Sequence, residues 1–62
     1  QRHIWTAVRH LPARQREVFA LRQLDGLSTD EVAAVLGIST GSVKQHLFRA
    51  VHSLRRTMGE GT

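Results

Sequence analysis

The 62-residue chain contains no cysteine and no tyrosine, a single proline and five acidic residues. Without cysteine there is no disulfide and no thiolate metal site, which fits a reducing, cytoplasmic setting. The apolar runs are a few residues long, far short of a bilayer span, and no signal peptide is visible, so no membrane partner is expected. Period-2 alternation and hairpin turn pairs are also missing, which leaves no strand. No Ser–His–acid or Cys–His set and no phosphate-binding glycine loop can be picked out, so an enzyme is not expected. His3 and His10 stand two turns apart, about 10 Å, too far for one ion. Neither a metal nor any other cofactor is therefore expected.

Acid is missing where it matters most. The acids are Glu17, Asp25, Asp30, Glu31 and Glu60, and residues 39–59 hold none. That stretch carries Lys44, Arg49, Arg55, Arg56, His46 and His52, and the whole chain has a net charge of +4. A basic, acid-free half points to a polyanionic partner. An ordinary solvated basic face is the plainer alternative.

What is present is helical spacing. Ile4, Val8 and Leu11 form a first stripe with Trp5 beside it. Pro12 suits the start of a second helix, which carries Val18, Leu21 and Leu24 on one side and ends near Asp25-Gly26. Leu27 follows as an anchor. Ser28 with Glu31 is a capping box for a third helix from Thr29 to about Leu36. Val32 and Leu36 face inward there, and Ala33 is small enough for a neighbouring helix to approach. Gly37 stops this helix as a left-handed C-terminal glycine does, and Ile38 plugs the turn. Ser39 caps a fourth helix with an apolar stripe of Val43, Leu47, Ala50, Val51, Leu54 and Met58. The tail Gly59–Thr62 is expected to fray.

The expected fold is all-α: one four-helix domain over 1–62 with a C-terminal helix-turn-helix at about 28–58 and no wing. In that motif the second helix enters the DNA major groove. Gly41, Ser42, Gln45, Arg49, His52 and Arg56 lie opposite the apolar stripe, with Lys44, His46 and Phe48 on the flanks. Gly41 and the hydroxyls of Thr40 and Ser42 would meet the partner at the helix tip. Bulk there would hold the backbone away, and an acid would repel phosphate. Ser42 and Thr40 can donate to phosphate or a base edge. Gln45 can pair with adenine, and Arg49 or Lys44 with guanine or phosphate. His46 can donate a hydrogen bond or pack between helices, and Phe48 can contact DNA or pack against the first helices.

The stretch LPARQREVFALRQLDGLSTDEVAAVLGISTGSVKQHLFRAVHSLRR, residues 11–56, resembles region 4, the C-terminal domain, of bacterial sigma factors, and the extracytoplasmic-function group above all. The resemblance implies a domain that binds the −35 element of double-stranded promoter DNA while docked on the β-subunit flap of RNA polymerase, with an anti-sigma factor as a further partner. It implies DNA proximity for Arg22, Ser42, Lys44, Gln45, Phe48 and Arg49. Arg22 would clamp the backbone, whereas its residue type alone indicates a solvated charge. At 45 and 46 the family often has a small residue and arginine, where this chain has Gln45 and His46, so the reading face differs. VKQHL also leans toward LuxR-type response-regulator output domains, and a helical protein-interaction module is the rival from another class. The chain starts at Gln1 and is read as part of a longer one.

Overall fold

The computed structural model describes the backbone of residues 2–60, and side chains from 4 to 57 together with Gly59. Met58 in the apolar stripe, the His3 side chain and tail residues 61–62 lie outside what is described. Helix α1 (Arg2–Arg9) is followed by α2 (Ala13–Phe19), which runs on without a break into a π-helical turn over Ala20–Leu24. Then come α3 (Thr29–Leu36) and α4 (Thr40–Glu60). The described residues are all-helical, in the order expected. The C-terminal helix runs further than expected, since Gly59 and Glu60 of the supposed frayed tail are helical.

Local signals explain the boundaries. Pro12 precedes α2 at φ −53° and ψ 150°, and its carbonyl accepts the Arg16 amide at 2.9 Å, starting the ladder. At α3 the capping box is complete. The Glu31 amide donates to Ser28 Oγ at 3.1 Å, and the Ser28 amide to Glu31 Oε1 at 2.8 Å. Gly37 closes α3 at φ 68°, and the Ile38 amide returns to the Ala33 carbonyl at 3.1 Å. This six-to-one bond around a left-handed glycine is the Schellman stop.

Two apolar clusters make the core. One gathers Ala7, Val8, Leu11, Phe19, Ala50 and Leu54, with Ile4, Leu47 and Val51 packed against it. The other gathers Val18, Val32, Ala33 and Val43, with Leu21, Leu27, Leu36, Ile38 and Leu47 around it. Leu47 belongs to both. Adjacent residues of α2 serve opposite clusters, Val18 one and Phe19 the other, so α2 is buried on two sides rather than along one stripe. Sequence spacing misses Phe19 for that reason.

One core expectation is corrected. Sequence spacing puts Leu24 on the inward side with Val18 and Leu21, yet it is 50% exposed. The π turn is the cause. The Asp25 amide donates five residues back to the Ala20 carbonyl at 3.0 Å, and the Leu27 amide six back to Leu21 at 3.0 Å. A wider turn rotates the chain less per residue, so the helical phase is lost after Ala20 and Leu24 swings outward.

Candidate nucleic-acid interface

The second helix of the motif, α4, opens on a serine-built cap. The Ser42 amide donates to Ser39 Oγ at 3.0 Å, and the Val43 amide to the Ser39 carbonyl at 3.0 Å. The Ser39 hydroxyl in turn donates to Ser42 Oγ at 3.0 Å. The Ser42 hydroxyl is thereby held at the head of the helix, beside the exposed Thr40 and Gly41. Ahead of the helical ladder, the Thr40 and Gly41 amides stand at the positive end of the helix, with no acid in its first turn.

Along α4 the exposed residues 41, 44, 45, 48, 49 and 52 recur at helical spacing and form one continuous face. Gly41, Lys44, Gln45, Phe48, Arg49 and His52 therefore share one open strip, with Thr40 exposed at its head. On the inner side Val43 and Ala50 are completely buried, and Leu54 nearly so. That anchoring fixes which way the strip faces.

The helical wheel needs adjusting at its edges. Lys44 and Phe48, expected on the flanks, stand fully in the open strip, and Phe48 is 71% exposed. This rules out Phe48 packing against the first helices. Ser42 and His46 are half-buried, and His46 Nδ1 is enclosed without a hydrogen-bond partner in the chain. Arg22, on the π turn, is also half-buried with its Nε enclosed and unpaired, so it is not the freely solvated charge its residue type indicates. Sequence reasoning missed one pairing. The Phe48 and His52 rings stack with centroids 6.2 Å apart and planes 12° apart, and their four-residue spacing was the available signal.

A second surface lies toward the C-terminal half of α4. Ile4, Phe19, Val51, Leu54, Arg55 and Gly59 line an open, largely apolar groove of about 480 Å³. None of these residues belongs to the strip. Among the described residues no three His, Asp or Glu side chains converge as a metal site would require, and no helix is long and apolar enough to cross a membrane.

Comparison with known proteins gives a consistent result. The family model described as "Sigma-70, region 4" matches residues 1–54. The chain is 44% identical over 52 residues to the RNA polymerase sigma-E factor of Streptomyces antibioticus, covering 84% of this chain and 29% of that protein. It is 47% identical over 45 residues to the ECF RNA polymerase sigma factor SigD of Mycobacterium tuberculosis, covering 73% of this chain and 21% of that protein. To the ECF RNA polymerase sigma factor BldN of Streptomyces coelicolor it is 44% identical over 52 residues, 84% of this chain and 20% of that protein. The chain thus spans less than a third of the length of these relatives.

Proposed function

The chain belongs to the sigma-70 region 4 family, and from that premise we propose that it binds the −35 element of promoter DNA through α4 while docked on RNA polymerase. Family membership favours the sigma reading over the LuxR-type one. The observation that carries the DNA reading is the open strip on α4. It combines free first-turn amides, two cations, an amide side chain and a glycine tip, with no acid anywhere on the exposed face.

Each residue then has a task. The Thr40 and Gly41 amides and the Ser42 hydroxyl meet a phosphate or a base edge at the helix tip. Gln45 pairs with an adenine edge, and Arg49 and Lys44 take guanine or phosphate oxygens. His46, with one ring nitrogen enclosed, offers only its outer edge to the groove wall. Arg22, its stem held by the fold, extends its outer nitrogens to the DNA backbone. No step is catalytic: the domain positions a larger assembly on a duplex. The apolar groove beside Ile4 and Leu54 is the face suited to a protein partner, the polymerase β-subunit flap or an anti-sigma factor.

Separate faces make a separable prediction. Replacing Lys44 and Arg49 together by alanine removes two exposed cations without touching either apolar cluster. The expected outcome is loss of promoter binding with polymerase binding retained, read by mobility shift and by co-purification of the same preparation. Equal loss of both in a folded protein would argue against separate faces.

A further inference from the structure

Phe48 is the most exposed large apolar side chain among the described residues, at 71%. It stands about two turns into α4, between Lys44, Gln45 and Arg49 on the open strip. His52 follows four residues later, and its ring lies within 12° of parallel to that of Phe48, with centroids 6.2 Å apart. Helical side chains lean toward the N-terminus, so His52 backs onto Phe48 from the C-terminal side, and Phe48 faces on toward the tip of the helix. The pair is one flat stacked unit set among polar groups.

The chemistry of a major groove gives such a unit one natural counterpart. Donors and acceptors on the base edges suit Lys, Gln and Arg, but the C5-methyl of thymine is apolar and is taken by apolar side chains, phenylalanine included. A lone exposed ring would sample several rotamers and lose that freedom on binding. A ring already in contact with a neighbouring ring has part of that freedom restricted beforehand.

We infer that Phe48 and His52 form a single reading unit, in which the Phe48 ring takes the methyl group of a thymine and His52 is the positioning residue that holds the ring for it. This rests on the DNA-binding reading of α4, and it adds a base to the recognised site together with a residue outside the expected contact set.

The test uses the intact protein and a randomised duplex library. Duplexes enriched by the wild type are resynthesised with single thymines replaced by deoxyuridine, which removes only the methyl. At one position the wild type should bind the deoxyuridine duplex about fourfold more weakly, the value of burying one methyl-sized group. Phe48→Ala should abolish that difference. His52→Ala should reduce it, by loosening the ring without removing the contact. His52→Phe, which keeps a stacked ring, should restore the difference, and His52→Lys, which keeps a cation and no ring, should not. Circular dichroism on each variant checks that the helices are intact.

A thymine preference that survives Phe48→Ala overturns the inference. So does a Phe48→Ala loss spread evenly over all sequences, since that places the ring on the sugar-phosphate wall. Full discrimination in His52→Ala, or its rescue by lysine, removes the positioning role. A library in which the wild type enriches no sequence is a different failure, that of the DNA-binding reading itself.

Discussion

Gly41 has no duty inside the chain. A Cβ added there would meet nothing nearer than Ser39 Oγ at 3.9 Å, an ordinary contact, and the residue sits in regular helix without positive φ. Alanine at this position should therefore strengthen the helix, by up to about 1 kcal/mol. On the proposed DNA-binding reading, the glycine serves contact outside the chain, where a methyl at the helix tip would hold the backbone off a phosphate or base edge. Gly41→Ala is expected to raise the thermal midpoint by a few degrees and to weaken duplex binding several-fold. Calorimetry and fluorescence anisotropy on one preparation read both effects. A variant that is more stable and binds as well as wild type would remove the glycine from the interface.

The α3–turn–α4 unit depends on a different glycine for a different reason. A Cβ added at Gly37 would also meet open space, but the φ of 68° there is the left-handed conformation that side chains resist. Gly37→Ala should destabilise by about 1–2 kcal/mol. For a domain of this size each kcal/mol corresponds to roughly 4–8 °C in thermal midpoint. The same substitution thus has opposite signs at residues 37 and 41, and a thermal scan of both variants checks it. The motif is legible in the sequence because its signals are local: Ser28 and Glu31, Gly37 and Ser39 each act within a turn, and α3 falls over Thr29–Leu36 as expected. The π turn is not legible, because no residue type in Ala20–Leu24 marks a five-residue hydrogen bond. Spacing misplaces Leu24 in consequence. On the candidate interface, an apolar stripe shows which side of α4 is inward but not which flank the other helices approach. Lys44 and Phe48 are accordingly more open than the wheel implies, and Ser42 and His46 less so.

At the scale of the molecule, one long helix joins everything. The domain measures 36 × 18 × 16 Å, and the 21 residues of α4 account for roughly 31 Å of the long axis at 1.5 Å per residue. Its first half packs on α3 and its second on α1, with Leu47 shared between the two clusters. On the proposed DNA-binding reading, such a body offers a short helical tip and a few cations to a duplex. With two to four of Lys44, Arg49, Arg22 and their neighbours on phosphates, affinity should fall about ten- to hundredfold between 50 and 200 mM salt. Arg22→Ala should lower the slope of log affinity against log salt by about one, and weaken all sequences alike. Lys44→Ala alone should lower it by a similar amount. Weak binding alone is compatible with the proposed function, because tethering to a polymerase on the same promoter would supply effective concentration. Titrations at several salt concentrations, with wild type and the Arg22 variant, decide the point. Tight binding indifferent to salt would mean that the net charge of +4 and the acid-free stretch serve something other than a nucleic acid.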